Sequence, residues 1–324
     1  MHRSPILTAA GFTLAALVPT LALGGGGAID LPDPGFAPEG ISASADGTLY
    51  AGSITQGRIV AISAAHGRVS EFAPAGSNGM VSVIGVHVTT DGARVAACSS
   101  DPGAGALTGQ AAPALVLFDR ATGAPAGRYE LPEGGVFCND IAELPDGTLL
   151  ATDSFVPRIY ALRPGARALE TWFEDDALQV EGFNLNGIAV DDDAVWVLRY
   201  GAGELLRIPL GPDMAAGAAE VQPLARPIHG ADGLNALGHG RFLVVEGGGL
   251  SAGARGNLLG VTLRPDGPAQ VDVLAADLNV PTTAHVVGGT AFVVEGQLDH
   301  LFDPEAGPAD PYRVLRIPLP AAYR

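Results

Sequence analysis

The chain has 324 residues, with 35 acidic against 18 basic side chains and a formal net charge of −17. No lysine occurs, so every basic residue is Arg, which excludes Schiff-base chemistry and phosphate loops that need Lys. The acidic balance without a basic stripe excludes nucleic acid as a partner and favours cations near any carboxylate-lined opening.

Residues 1–24 read as an export signal. His2 and Arg3 make a short positive start, an apolar run extends from Pro5 to Leu23, and Ala22-Leu23-Gly24 suits a signal peptidase. The alternative is an uncleaved N-terminal anchor, because the run is about long enough to span a bilayer. Either way the remainder, residues 28–324, is expected in an oxidising periplasmic or extracellular space, with no other contact to a membrane. There Cys98 and Cys138 either pair or remain as two buried thiols.

A pattern of three short strands then recurs six times. The first copy reads Gly40-Ile41-Ser42, an Asp46-Gly47 turn, Thr48–Ala51 and Arg58–Ile62. The second reads Gly85–Val88, Asp91-Gly92, Arg94–Ala97 and Leu115–Phe118; the third Asp140–Ala142, Asp146-Gly147, Thr148–Ala151 and Arg158–Leu162. The fourth reads Gly187–Val190, Asp192-Asp193, Val195–Leu198 and Glu204–Ile208; the fifth Gly233–Leu237, a Gly238–Gly240 turn, Phe242–Val245 and Leu258–Val261. The sixth reads Ala284–Val287, Gly288-Gly289, Ala291–Val294 and Arg313–Ile317. Asp-Gly between apolar runs is a hairpin signal, because Gly accepts the positive φ of the turn. A period near 50 residues fits a propeller blade of four antiparallel strands. The fold class is therefore all-β, a six-bladed β-propeller with a central tunnel. Its sixth blade lacks an outer strand before the C-terminus, and Ala28–Leu31 is expected to supply it and close the ring. The longest insertions, Ser99–Pro113 and His300–Pro311, are expected as loops shaping a binding mouth.

In such a ring the residues just before the innermost strands converge on the axis. Here they are Glu39, Ile84, Asn139, Asn186, Asp232 and Thr283. Two carboxylates and two carboxamides at one phase of a repeat form an all-oxygen set for a hard cation. Ordinary turn chemistry explains any one of these residues but not four in phase, and Glu39 is a poor turn former.

Pro38-Glu39-Gly40, Asn139-Asp140, Asn186-Gly187 and Asp232-Gly233 together resemble the blade-start motifs of the regucalcin–gluconolactonase family, over residues 36–300. The resemblance implies a six-bladed propeller holding one catalytic divalent cation, Ca²⁺ first, with Mg²⁺, Mn²⁺ or Zn²⁺ as alternatives. It implies Glu39, Asn186 and Asp232 as direct ligands, and Asn139 against the metal, its water or the substrate. It also implies Asp232 as general base. The expected activity is hydrolysis of a lactone or related ester, a small-molecule substrate, by a cation-activated water. Where the family's sugar-lactonases commonly carry an Arg, this chain has Phe137, which points to a less polar substrate. Arg199 is the candidate substitute, and His229 a candidate proton shuttle near the mouth.

Two readings compete with hydrolysis. One is a non-catalytic propeller that keeps a structural metal site and binds a ligand or protein. The other is a metal-free propeller of the strictosidine-synthase-like kind. Gly249–Gly253 matches a nucleophile elbow, but no helical pattern follows Ser251. His87 and His285 on innermost strands either line the tunnel or are hydrogen-bonded core histidines, the second being favoured; Asp153 is read as a turn organiser, and Glu246 and Glu295 as solvated strand ends in preference to supports for the mouth.

Overall fold

In a computed structural model, residues 27–324 are described, and they form six four-stranded antiparallel sheets arranged as a six-bladed β-propeller. The signal or anchor expected over residues 1–24 lies outside the described residues. Among the described residues no helix is long and apolar enough to cross a membrane.

Strand β1 (Ala28–Asp30) precedes the first complete blade. Blade one holds β2 (Pro38–Ala43), β3 (Thr48–Ser53), β4 (Ile59–Ser63) and β5 (Val69–Ala73). Blade two holds β6 (Val86–Val88), β7 (Arg94–Ser99), β8 (Ala114–Asp119) and β9 (Pro125–Glu130). Blade three holds β10 (Cys138–Glu143), β11 (Leu149–Asp153), β12 (Arg158–Leu162) and β13 (Glu170–Glu174). Blade four holds β14 (Leu185–Asp191), β15 (Ala194–Arg199), β16 (Glu204–Pro209) and β17 (Glu220–Gln222). Blade five holds β18 (Ala231–Ala236), β19 (Arg241–Glu246), β20 (Gly256–Thr262) and β21 (Gln270–Leu278). Blade six holds β22 (Pro281–Val287), β23 (Thr290–Glu295) and β24 (Arg313–Pro318).

Its fourth place is taken by β1, which pairs antiparallel with β24 in the register Ala28↔Leu315, Ile29↔Val314 and Asp30↔Arg313. The expected N-terminal closing strand is thus present, one residue shorter than Ala28–Leu31. The amide of Leu31 still bonds back to Tyr312 O. Pairing the first strand with the last covers what would otherwise be an open sheet edge.

The inner hairpins form as their turns dictate. Gly47, Gly92 and Gly147 sit at φ +80, +68 and +85, which an L side chain adopts at a cost. The preceding Asp anchors each turn: Asp46 accepts from Thr48 N at 3.0 Å, Asp91 from Ala93 N at 2.8 Å, and Asp146 from Thr148 N at 2.9 Å. Blade faces are apolar because each is buried against the next blade. Tyr50 and Ile59 of blade one share a core with Val86, Val95 and Val116 of blade two. Trp196 of blade four lies 5.2 Å from Phe242 of blade five, ring centre to ring centre. A single blade would leave both faces wet, so the stacking of neighbours drives ring formation.

A disulfide joins Cys98 to Cys138, with Cα atoms 5.2 Å apart. It staples β7 of blade two to β10 of blade three, one residue before Asn139, and settles the choice between paired and free thiols.

Candidate functional site

The inner strands do not start regularly. In five blades the pairing of the first and second strands slips: Pro38↔Ser53 is followed by Ile41↔Ala51, Cys138↔Asp153 by Ile141↔Ala151, and Leu185↔Arg199 by Ile188↔Val197. Ala231↔Glu246 is followed by Leu234↔Val244, and Pro281↔Glu295 by Ala284↔Val293. Two residues therefore oppose one, the geometry of a β-bulge, which re-aims a side chain without ending the strand. The bulged pairs are Glu39-Gly40, Asn139-Asp140, Asn186-Gly187, Asp232-Gly233 and Thr282-Thr283. Each candidate ligand is the first residue of its pair.

The second residue explains why Gly recurs. A Cβ on Gly40 would lie 2.3 Å from Ile84 O, one on Gly187 2.3 Å from Asp232 O, and one on Gly233 2.7 Å from Thr282 O. Each glycine lets its strand rest on the backbone of the next blade's site residue. Where the place is Asp140, its carboxylate reaches across instead and accepts from Ile188 N at 3.1 Å, as well as from Ile141 N at 2.8 Å. Thr282 donates its hydroxyl to Glu39 O at 2.7 Å and joins blade six to blade one. Thr282, fully buried, is therefore the residue in phase with Glu39. The expectation of Thr283 is corrected by one position. Two adjacent threonines and no glycine hide the bulge from the sequence.

The loop before each inner strand is held by the residue that ends the second strand. Asp153 accepts from Val136 N at 2.7 Å, Phe137 N at 3.1 Å, Phe155 N at 3.0 Å and the Tyr160 hydroxyl at 3.1 Å, the turn-organising role expected of it. Glu246 accepts from His229 N at 2.9 Å, Arg226 at 2.6 Å and Asn257 at 2.6 Å. Glu295 accepts from Asn279 N at 2.8 Å and Arg313 at 2.7 Å. Both glutamates are buried, 4% and 3% exposed, so the reading of solvated strand ends is corrected. They are anchors, placed as Asp153 is.

Glu39, Asn139, Asn186 and Asp232 all line one chamber of about 150 Å³, together with Ile84. All four are nearly buried, 5–6% exposed. None of the side chains that line it is Arg or His. Burial pushes the Glu39 carboxyl well above its ordinary range, and the nearby charges of Asp232 and Asp140 push it further. The Asp232 carboxyl is raised by burial and by Asp140, while a hydrogen bond with Asn186 pulls it down. Among the described residues no group of three or more His, Cys, Asp or Glu is placed to hold a metal; this set mixes carboxylates with carboxamides.

Of the residues expected to touch substrate, Phe137 lines the chamber, but Arg199 and His229 do not. Arg199 pairs across its hairpin with Glu204 and bonds Leu178 O at 3.1 Å, so its guanidinium is engaged outside the chamber. His229 offers its backbone N–H to Glu246, and its side chain is exposed. Ser251 is exposed in the loop between β19 and β20, with no helix after it, so it forms no nucleophile elbow.

The chamber also contains residues that motif reading misses. Phe137, Phe155, Phe183 and Tyr200 form a continuous aromatic wall, with successive ring centres 5.5, 5.2 and 5.4 Å apart. Burial raises the Tyr200 hydroxyl above its ordinary range, with Asp232 adding to the shift. Leu250, Leu298 and Phe302 line the chamber too, Phe302 from the short helix α1 (Asp299–Phe302). Asp101 and Pro102 come from the Ser99–Pro113 insertion, and Phe302 from the His300–Pro311 insertion, so both long loops reach the mouth as expected. A partial signal did exist: Ile54 and Tyr200 each fall one residue past a second strand, and Phe155 two residues past one.

A family profile described as strictosidine synthase-like, N-terminal, matches residues 21–62. No curated protein matches the chain. Among solved structures, the chain resembles a calcium-binding protein, regucalcin, from Agrobacterium tumefaciens, at 19% identity and TM-score 0.64, over 91% of this chain and 95% of that one. It resembles a gluconolactonase from Xanthomonas campestris at 17% identity and TM-score 0.61, over 92% and 91%. It also resembles virginiamycin B lyase from Staphylococcus aureus at 13% identity and TM-score 0.58, over 91% and 99%. At such identities these similarities establish the propeller fold alone.

Proposed function

We propose that this chain is a cation-dependent hydrolase that opens a lactone or a related ester, of the regucalcin–gluconolactonase kind. The observation that carries the reading is the pairing of Glu39 with Asp232: two buried carboxylates in one chamber that no Arg or His lines. Buried charge is costly unless paired or metal-bound. The donors fit a hard divalent ion, since Glu39, Asp232, Asn139 and Asn186 offer only oxygen ligands and a formal charge of about −2. Ca²⁺ is the first candidate.

Such an ion, bound by Glu39, Asn186 and Asp232, supplies carbonyl polarisation and a more acidic water. The chain's own groups do the rest. Asp232 accepts the proton of the attacking water and, among the described residues, has no ion-pair partner competing for it. The water oxygen bonds to the acyl carbon, the acyl–oxygen bond breaks, and the proton passes to the freed oxygen to leave a hydroxy acid. Asn139 holds the substrate's polar end through its amide, and the aromatic wall excludes water around the rest. Export to an oxidising compartment is part of the same proposal, supported by the Cys98–Cys138 disulfide.

The test is turnover of a lactone panel by the full chain before and after chelation. Activity should vanish with chelator and return with Ca²⁺, and Asp232→Ala should abolish it while the β-sheet circular dichroism persists. Turnover indifferent to chelator would overturn the reading. Cation-dependent melting without turnover on any lactone would leave a binding propeller instead.

A further inference from the structure

We propose, resting on the hydrolase reading above, that the chamber selects a neutral ester or lactone carrying one aromatic ring, rather than a polyhydroxylated sugar lactone. Three observations carry this. First, Phe137, Phe155, Phe183 and Tyr200 form one unbroken wall across blades three and four, with Leu298 and Phe302 also lining the chamber. Rings in offset or edge contact at these spacings favour another ring as the next member of the row.

Second, the volume is about 150 Å³, a size at which an apolar cavity holds a benzene-sized group. Third, the polar groups are few and of one sign. With the proposed divalent cation balancing Glu39 and Asp232, Asp101 is the remaining charge on the lining, and no cationic side chain lines the chamber to pair with an anionic ligand. A sugar lactone brings a hydroxyl on nearly every carbon, and against phenyl faces most would lose their hydrogen bonds to water and gain none. A neutral aryl lactone brings one polar end, which the Asn139 and Asn186 amides and the Tyr200 hydroxyl satisfy. Phe155, 38% exposed, stands at the rim, so it can be changed without opening the core.

The experiment uses ligands that cannot be hydrolysed. Calorimetry on the full chain, with chelator and with Ca²⁺, compares an aryl lactam (3,4-dihydro-2-quinolinone) with a polyhydroxylated one (gluconolactam). Turnover of dihydrocoumarin and glucono-δ-lactone is measured alongside. The aryl lactam should bind at least tenfold more tightly. Phe155→Ala should weaken it by about tenfold, a single side-chain contact's worth, while Phe155→Leu weakens it less. Equal or tighter binding of the polyhydroxylated lactam, no binding of either, or an aryl preference unmoved by Phe155→Ala would overturn the inference. Aryl binding without turnover of either lactone would support this inference while removing the hydrolase reading.

Discussion

The two ends of the tunnel are built on the same inner strands, yet they treat charge in opposite ways. Further along those strands lies a second cavity of about 190 Å³, lined by His87, Asp140, Glu143, Asn235, Thr283 and His285 among others. There charge is met by the chain itself. Glu143 faces His87 Nε2 at 3.3 Å and accepts from Thr90 N at 2.6 Å. Burial lifts Asp140 to about 6, against two backbone hydrogen bonds and the nearby His87. Burial also lowers His285 to about 4, so it is neutral at physiological pH, and His87 adds to the shift. Glu39 and Asp232, at the other end, have no ion-pair partner among the described residues, and Asp232 has only the Asn186 amide beside it. The difference teaches that satisfied polar groups near an axis are architecture, whereas the shared carboxylate excess marks the place where the proposed cation would act.

The largest effect that would sharpen this contrast is kinetic. Asp232→Asn should cost about 10²–10⁴ in turnover, the usual contribution of a general base, whereas Glu143→Gln should leave turnover within about twofold. Comparable losses from both would break the distinction. Next is the staple beneath the chamber, which has no counterpart at the other end. Replacing both Cys98 and Cys138 by Ala should cost about 2–4 kcal/mol in denaturant unfolding.

A smaller effect should reverse sign between the ends. Without cation, Glu39→Gln removes an uncompensated buried charge and should raise stability by about 1–3 kcal/mol. Glu143→Gln breaks existing bonds and should lower it by about 1–2 kcal/mol. Smallest is a pH effect at an anchor. Burial works to raise the Glu246 carboxyl, but Arg226, the His229 N–H and Asn257 outweigh it and hold it below its ordinary range. Its stabilisation is therefore present above the usual Glu range and lost as pH falls through the depressed value. Glu246→Gln should flatten that acid limb in a melting-temperature profile.

Much of this was legible in the sequence because a six-fold repeat turns one phase into one place. Glu39, Asn186 and Asp232 could be aligned through their following glycines, and Asn139 through the Asp146-Gly147 turn downstream, which matches Asp46-Gly47 after Glu39. The alignment failed at Thr282-Thr283, where neither residue marks the bulge. Arg199 looked free because its Glu204 partner is set by hairpin register, which strand-level reading does not resolve. Glu246 and Glu295 looked solvated because their partners, such as Arg226 and Asn279, lie in loops. The outermost strands, including Val69–Ala73 and Pro125–Glu130, escaped notice because their exposed faces carry little apolar pattern. The aromatic wall was hidden for a related reason: Phe155 and Phe183 sit in loops that only the closed ring brings together.

Calorimetric titration of Ca²⁺ into the chelator-stripped chain and its Asp232→Asn variant asks the central question without reference to any substrate. The account predicts one site per chain in the native protein, a melting point that rises as that site fills, and loss of both in the variant. Heat and melting curves that do not respond to cation, or that respond equally in the two proteins, would contradict it.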